Sequence, residues 1–188
     1  MAPSTKHLLA RSLKALMGEK TLDKITVKEI VARCGVNRQT FYYHFRDIYD
    51  LLDWLFIEEG NEFSRRFPDY PNQSSAEDAI RQMCTYLIDN RQMAINIFNS
   101  MGRDIFGQYL TREMGKLLSM SLMQRAVLIG VSETNVRAIV NFYKHGLVGV
   151  LLDWVADGLG GDIDEIVLLN RPIFEGALDE AIKQMTKA

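Results

Sequence analysis

A short stretch of the chain, residues 38–44, concentrates side chains that can hydrogen-bond to nucleic acid. Its polar and aromatic members are Arg38, Gln39, Thr40, Tyr42, Tyr43 and His44. Arginine pairs with guanine edges and glutamine with adenine edges, whereas threonine and tyrosine suit phosphates or thymine methyl groups. At about 100° per residue, this set points away from the face shared by Phe41 and Phe45, with His44 nearest its edge. The pattern predicts a DNA-reading face; core packing or tolerated surface aromatics are the alternative for the tyrosines.

Two short helix patterns position this face. The first covers residues 27–34 and stops at Gly35, and the second covers residues 37–45, starting at an asparagine suited to cap a helix. Two helices joined by a tight, glycine-containing turn form a helix-turn-helix, which places its second helix in the DNA major groove. Thr26 and Lys28, at the start of the first helix, are placed to hold phosphates.

Charge is distributed unevenly along the 188 residues. The whole chain carries a net charge of −2. Residues 1–50 hold nine basic and five acidic side chains, a net charge of +4, which leaves −6 for the remainder. This asymmetry favours a basic, phosphate-facing head on an acidic body, with chance clustering as the alternative. A hydrophobic content of 47% with 24% charged residues is typical of a globular protein with a substantial core.

Other function classes find little support in the residues. No apolar run approaches the roughly 18–20 residues that span a bilayer, and the amino end lacks a secretion signal, so we expect a cytoplasmic protein without a membrane partner. Cys34 and Cys84 are too few for a disulfide framework and are expected to be buried, a redox or metal role being the minority alternative. His7, His44 and His145 show no metal-ligand spacing, so no metal or cofactor is expected. No motif indicates an enzyme.

Helical periodicity covers nearly the whole chain and predicts an all-α fold of about nine helices. An amphipathic helix is expected at residues 5–18, before the motif, and a linking helix at residues 47–67, after it. The segment 68–75 holds two prolines and several turn formers and is expected to be a linker. The remaining helices are expected at residues 76–90, 92–100, 103–129, 133–157 and 164–187, the last broken near Pro172.

Residues 26–45, TVKEIVARCGVNRQTFYYHF, resemble the helix-turn-helix signature of the tetracycline-repressor (TetR) family, which ends in Thr-[Leu/Phe]-Tyr-x-His-Phe. The resemblance implies a homodimeric transcriptional regulator, and most members of the family are repressors. It implies a three-helix DNA-binding domain at 1–48, with the linking helix to about 67, and a larger helical domain at 49–188 that binds a small ligand and dimerises. The implied DNA contacts are Thr26, Lys28, Arg38, Gln39, Thr40, Tyr42, Tyr43 and His44. The family usually has a phosphate-binding lysine at the position of Ile48, for which Arg46 is the expected substitute.

Two further stretches, CGVNRQTFYYHFRDIYDLLDW and FYKHGLVGVLLDWVADG, resemble the subgroup that includes the dihydroxyacetone-kinase regulators. Some members of that subgroup act as activators with a partner protein. Two hypotheses therefore stay open. In the first, a small-molecule effector changes the spacing of two reading heads on a double-stranded DNA operator. In the second, the protein is a co-activator or adaptor that acts mainly through a protein partner.

The body of the chain holds two candidate dimer-forming stretches, residues 136–155 and 163–185. The first is apolar around most of its circumference, so it must be covered on several sides. A four-helix bundle of two subunits would cover it, and Gly146 and Gly149 would admit a partner helix; burial within one monomer is the alternative. The expected dimer residues are Phe142, Leu147, Val150, Leu151 and Trp154.

Methionine and aromatic side chains in the body predict an effector pocket, since they suit adaptable apolar cavities. At helical spacing, plain core packing is the alternative. The predicted lining residues are Met83, Tyr86, Phe98, Met101, Phe106, Tyr109, Met120 and Met123. Arg103 and His145 are the candidate polar groups of the pocket.

Overall fold

The computed structural model describes residues 4–66 and 76–169, together with positions 172, 180, 183 and 184. In these ranges the chain forms α-helices, one short 3-10 helix and no strand. The elements are α1 (Thr5–Met17), the 3-10 helix (Leu22–Lys24), α2 (Val27–Cys34), α3 (Arg38–His44), α4 (Ile48–Arg66), α5 (Ala76–Asp89), α6 (Arg91–Phe98), α7 (Arg103–Ile129) and α8 (Glu133–Ala156). Residues 163–169 are also helical. The predicted all-α fold is confirmed.

The predicted helix boundaries agree with the observed ones to within two residues at each end that the structure describes. The predicted linker at 68–75 lies outside the described residues. So does most of the predicted last helix, and with it the greater part of the second candidate dimer stretch.

Packing divides the chain into two compact units. Unit 1 consists of Met1–Phe63 and Asn90–Tyr109, and unit 2 of Ser64–Asp89 and Leu110–Ala188. Unit 1 therefore joins α6 and the first residues of α7 to the amino-terminal helices. The division into domains at residues 48 and 49 stays a prediction.

The apolar stripe of α1 builds the centre of unit 1. Leu9, Leu13 and Met17 recur at helical spacing and are fully buried, as their period requires. Helix α1 packs against α2, where the Ser12 hydroxyl donates a 2.8 Å hydrogen bond to the carbonyl oxygen of Ile30. Because this bond satisfies a buried hydroxyl, it fixes the position of α1 along α2.

Helix α6 and the turn that follows it pack on the end of α1 and on the 3-10 helix. The Asn96 side-chain amide donates to the carbonyl oxygen of Met17 at 2.8 Å, and the backbone N–H of Met101 donates to Asp23 Oδ1 at 3.2 Å. A methyl group on Gly102 would lie 2.7 Å from Leu22 Cδ2, so only glycine allows this close approach. These contacts hold the turn against the 3-10 helix and the end of α1.

An aromatic cluster joins α4 to the start of α7 within unit 1. Phe56 stacks on Tyr109 with a ring-centroid distance of 4.4 Å and lies 5.7 Å from Phe106. All three side chains are buried. Their burial gives unit 1 a second apolar centre beside the stripe of α1.

Helix α8 contributes a series of buried side chains to unit 2. It contacts α5, and its buried side chains include Leu147, Leu151 and Trp154. The indole N–H of Trp154 donates a 2.6 Å hydrogen bond to the carbonyl oxygen of Gly160. This bond holds the glycine-rich loop after α8 against the helix end.

Candidate nucleic-acid interface

A capping box fixes the start of α2. The backbone N–H of Glu29 donates to Thr26 Oγ1 at 3.3 Å, and the backbone N–H of Thr26 donates to Glu29 Oε2 at 2.9 Å. Lys20 Nζ lies 2.5 Å from the other carboxylate oxygen of Glu29. The hydrogen bond from Lys20, followed by those from Thr26, lowers the pKa of Glu29 to about 2. The amino end of α2 is therefore held by the capping box and by the ion pair between Lys20 and Glu29.

Gly35 makes the turn between α2 and α3. Its φ of 72° lies in the left-handed region, and the backbone N–H groups of Gly35 and Val36 both donate to the carbonyl oxygen of Val31. A methyl group at Gly35 would meet no atom within 4 Å in the part of the chain that the structure describes. Backbone conformation rather than crowding therefore selects glycine here.

Asn37 caps α3. Its Oδ1 accepts hydrogen bonds from the backbone N–H of Thr40 at 2.8 Å and from Thr40 Oγ1 at 3.0 Å. Phe41 and Phe45 are buried on the inner face of the motif. The cap and the buried rings set both the start and the rotation of α3.

The outer face of α3 is exposed as the helical period predicts. Tyr43 is 84% exposed and Tyr42 53%, Arg38 and Gln39 are exposed, and Thr40 and His44 are half-buried. The predicted orientation of these side chains is therefore confirmed. Their contact with DNA stays a prediction.

Both threonines predicted to contact DNA donate their hydroxyl hydrogens within the protein. Thr40 Oγ1 donates to Asn37, and Thr26 Oγ1 donates to Glu29 Oε2 at 2.8 Å. A hydroxyl has a single hydrogen, and a phosphate oxygen only accepts. Either threonine would have to give up its internal bond before it could donate to a phosphate.

Two exposed basic side chains lie within or directly after the motif. Lys28 is exposed on α2, and the Arg46 side chain is 87% exposed with a guanidinium nitrogen 3.5 Å from Asp50. The backbone N–H of Arg46, then its side chain, lowers the pKa of Asp50. Ile48 is half-buried. Arg46 is thus accessible for the phosphate role that Ile48 cannot fill.

A cationic group that no residue pattern predicted lies between aromatic rings at the edge of the motif. Lys6 Nζ lies 5.6 Å from the ring centre of Phe45 and 5.8 Å from that of Trp54. His7 contacts Trp54 edge-on and lies 3.3 Å from Glu58. No local pattern predicts this contact, because Phe45 and Trp54 are far from Lys6 along the chain.

The predicted pocket residues fall in both units. In unit 1, Phe106 and Tyr109 are buried in the aromatic cluster, Arg103 lies over the half-buried Phe98 ring at 4.0 Å, and Met101 is exposed. The structure gives Phe106 and Tyr109 core partners and leaves the pocket a prediction.

In unit 2, the predicted pocket residue Met83 is buried, Tyr86 and Met120 are half-buried, and His145 is exposed. The side chain of Met123 lies outside the described residues. Burial alone does not distinguish a lining residue from a core residue, so the pocket stays a prediction here as well.

The predicted dimer residues separate into two groups on α8. Phe142 is 77% exposed and Val150 is also exposed, whereas Leu147, Leu151 and Trp154 are buried within the protomer. The second group therefore packs inside unit 2, and only the first is open to a partner.

Among the described residues, no helix has the length and apolar character that crossing a membrane requires.

Two family profiles together cover most of the chain. Residues 11–55 match the family described as "Bacterial regulatory proteins, tetR family". Residues 74–185 match "Transcriptional regulator C-terminal region" of the same family. The first match contains the helix-turn-helix, and the second contains α5 to α8.

Individual proteins agree with these matches. The HTH-type dhaKLM operon transcriptional activator DhaS of Lactococcus lactis subsp. lactis (strain IL1403) is 28% identical over 94 residues, which are 50% of this chain and 49% of that protein. The aligned region therefore spans about half the length of this relative.

Solved structures show the same fold. A structure of the dihydroxyacetone kinase operon activator DhaS has a TM-score of 0.63 at 18% identity, with 96% of each chain covered. The Bacillus subtilis regulator FadR in complex with stearoyl-CoA has a TM-score of 0.64 at 16% identity, with 96% of this chain and 97% of that chain covered. At these identities the likeness concerns the fold alone.

Proposed function

Since this chain belongs to the tetR family of bacterial regulatory proteins and is a DNA-binding transcriptional regulator, we propose that it represses transcription as a homodimer. In this proposal, α3 of each subunit reads one major groove of a double-stranded operator. A small molecule bound in the helical body changes the spacing of the two reading heads. Regulation rather than catalysis is proposed because the matched relatives are described as regulators, and the cytoplasm is its proposed location.

The observation that carries the DNA-binding proposal is the exposed face of α3. Two adjacent tyrosines are exposed on α3. The position of this helix is set by its amino-terminal cap, the preceding turn and the buried rings of its inner face. Exposed aromatic rings on a rigid helix cost solubility unless a partner covers them. Arg38 and Gln39 beside Tyr43 supply the donors and acceptors that base edges require.

A mobility-shift assay with the duplex upstream of the protein's own gene tests this proposal. Tyr43→Ala is expected to weaken binding at least tenfold without lowering the melting temperature, because the ring is exposed. Ile57→Ala, which truncates another exposed apolar side chain of unit 1, is the matched control and should bind like the wild type. Wild-type protein that does not bind this duplex at low salt, with Tyr43→Ala indistinguishable from it, would refute the proposal.

The proposed dimer interface is the exposed face of α8. Phe142 and Val150 are exposed there, and a methyl group on Gly146 or Gly149 would meet no atom of the described residues within 4 Å. An apolar face with open glycines admits close approach of a second helix. Because Leu147, Leu151 and Trp154 are covered within the protomer, the proposed direct contacts are Phe142 and Val150.

Sedimentation velocity tests the dimer. Phe142→Glu is expected to shift the protein from dimer to monomer, because it places a charge in an apolar interface. Ile57→Glu makes the same change at an exposed apolar position of α4 and should leave the dimer intact. A wild-type protein that sediments as a monomer at micromolar concentration would contradict the proposal.

Effector binding in the body is tested with metabolites handled by the enzymes or transporters encoded beside this gene. An effector should raise the melting temperature, since a ligand that binds only the folded state stabilises it by about 2.7 kcal/mol at a hundred times its Kd. The same compound should release the operator duplex. A compound that raises the melting temperature without changing DNA affinity would contradict the coupling of the two sites.

A second candidate function is activation together with a protein partner. The Lactococcus relative is named as an operon activator, and this similarity supports an activating role for the chain. Deleting the gene distinguishes the two signs of regulation, because transcripts of the target operon rise when a repressor is lost and fall when an activator is lost. Recovery of a stable partner in the absence of DNA would favour the adaptor form of this candidate.

A further inference from the structure

The side-chain amide of Asn37 has two N–H groups that take no part in the helix cap. A backbone N–H can only donate, so the Asn37 atom that faces the N–H of Thr40 must be the oxygen, and this fixes the orientation of the amide. The two lone pairs of that oxygen are occupied by the N–H and the hydroxyl of Thr40. Among residues 4–66 and 76–169, none accepts a hydrogen bond from Asn37 Nδ2. The side chain is exposed, so its two N–H groups face solvent.

The occupied oxygen decides which group of DNA this amide can meet. Asparagine reads adenine by using its oxygen and nitrogen together, as acceptor and donor. Asn37 has no free acceptor while it caps α3, so it offers donors only. Phosphate oxygens are acceptors only, and they flank the groove into which the amino end of a reading helix points.

We propose that Asn37 is a further DNA-binding residue, whose Nδ2 donates to a phosphate oxygen while its Oδ1 caps α3. The proposal rests on the proposed reading of DNA by α3. Asn37 and Thr40 then have different roles. Thr40 gives its hydroxyl hydrogen to Asn37 and so acts as a positioning residue, which holds the amide in the orientation that presents its donors.

Three substitutions at Asn37 separate a donor role from a capping role. Asparagine, aspartate and serine cap helices about equally well, and glycine is weaker by only a few tenths of a kcal/mol. Serine can accept from the N–H of Thr40 and still donate its own hydrogen, glycine has no side-chain donor, and aspartate presents a carboxylate. A donor role therefore ranks DNA affinity Asn37→Ser above Asn37→Gly above Asn37→Asp. A capping role ranks Asn37→Asp with Asn37→Ser, and both above Asn37→Gly.

The assay is fluorescence anisotropy with a duplex selected by the wild-type protein from a random-sequence pool and with a scrambled duplex. We expect Asn37→Ser to bind within about threefold of the wild type and Asn37→Gly about tenfold more weakly, the range for a hydrogen bond to a charged group. We expect Asn37→Asp to bind still more weakly and to melt at the wild-type temperature. Gln108→Glu makes the same amide-to-acid change at an exposed position of α7 and should bind like the wild type.

Each other outcome overturns the proposal in a recognisable way. If Asn37→Asp binds DNA as tightly as Asn37→Ser, Asn37 has a capping role and no donor role. Asn37→Gly weakening the selected duplex alone would place the amide on a base edge, since a phosphate contact weakens binding to all sequences alike. Wild-type protein that binds neither duplex at low salt would remove the DNA-binding function itself, and this result does not depend on any Asn37 variant.

Discussion

Replacing Gly102 by alanine is expected to destabilise unit 1, because a methyl group has no room there. Its Cβ would lie 2.7 Å from Leu22 Cδ2 and 3.2 Å from Leu52 Cδ2. Carbon atoms in ordinary contact are about 3.5–4.0 Å apart. Both leucines are buried, so neither can turn away without displacing its own neighbours.

The size of the effect follows from two opposing contributions. Overpacking a core by one methyl group costs about 1–3 kcal/mol. Exchanging glycine for alanine also restricts the unfolded chain, which stabilises the folded state by about 0.4–1 kcal/mol. We therefore expect Gly102→Ala to lower the free energy of unfolding by about 1–2 kcal/mol. For a chain of this length, that corresponds to a melting temperature lower by about 2–8 °C.

Guanidinium unfolding followed by circular dichroism measures this difference, at one fixed protein concentration because association shifts apparent stability. Gly115→Ala, within helix α7, is the control. Its Cβ would lie 3.3 Å from Lys144 Cδ, the flexible part of a side chain that can move aside. We expect this variant to be as stable as the wild type or slightly more stable.

A double-mutant cycle identifies the contact responsible. Leu22→Ala removes the atom closest to the new methyl group, so the double variant should lose less stability than the sum of the two single changes. If Gly102→Ala unfolds at the same guanidinium concentration as the wild type, the steric explanation is wrong. Strict additivity with Leu22→Ala would assign the loss to another contact.

Three further substitutions test other contacts. Glu29→Gln removes a carboxylate whose pKa is lowered from 4.5 to about 2. Its stabilisation is complete above about pH 4.5 and is lost as the pH falls toward 2, so thermal melts of variant and wild type should converge over that range. Asn96→Leu deprives the Met17 carbonyl of its donor and should cost about 1–3 kcal/mol in urea unfolding. Trp154→Phe keeps an aromatic ring but removes the bond to Gly160 and part of a buried side chain, so it should cost at least about 0.5–1.5 kcal/mol and speed amide exchange in the loop after α8.

Controls and contrary results are specific to each substitution. A Glu29→Gln variant that differs from the wild type equally at pH 3 and pH 7 would show that charge is not what stabilises the capping box. Asn99→Leu changes the same residue type at an exposed position after α6 and should leave stability unchanged. Unaltered amide exchange in Trp154→Phe would mean that the loop is held by other contacts.

The structure of the helix-turn-helix, residues 26–45, could be predicted because its sequence signals are local. Gly35 and Asn37 mark the turn by their own backbone and side-chain preferences. The helical period then places Phe41 inside and Tyr43 outside, where the structure has them. Each inference uses residues within about one helical turn of each other, and such interactions do not depend on the rest of the chain.

Contacts between distant segments could not be predicted in this way. Asn96 and Met17 are 79 positions apart, and neither residue carries a local mark of the other. The same is true of Lys6 and its ring partner Trp54. An asparagine inside a helix and a lysine near a terminus are compatible with many partners, so only the folded arrangement selects one.

Helix α8 shows a different reason for incomplete prediction. Its apolar residues surround most of the helix, so their period indicates burial without giving a direction. The structure places Leu147 and Leu151 inside the protomer and leaves Phe142 exposed. Which of two apolar faces of a helix is buried depends on the neighbouring helices, and the sequence of the helix alone does not specify them.

The contacts of the α6–α7 turn also determine how this protein can be recombined with other regulators. A graft of residues 1–66 onto a foreign body would carry the helix-turn-helix but leave behind Asn96, Gly102 and the rings that cover Phe56. The transplanted head would then expose apolar surface that its native chain covers. A chimera intended to transfer operator choice should therefore include residues 90–109 with the amino-terminal helices, so that the portable piece is discontinuous in sequence.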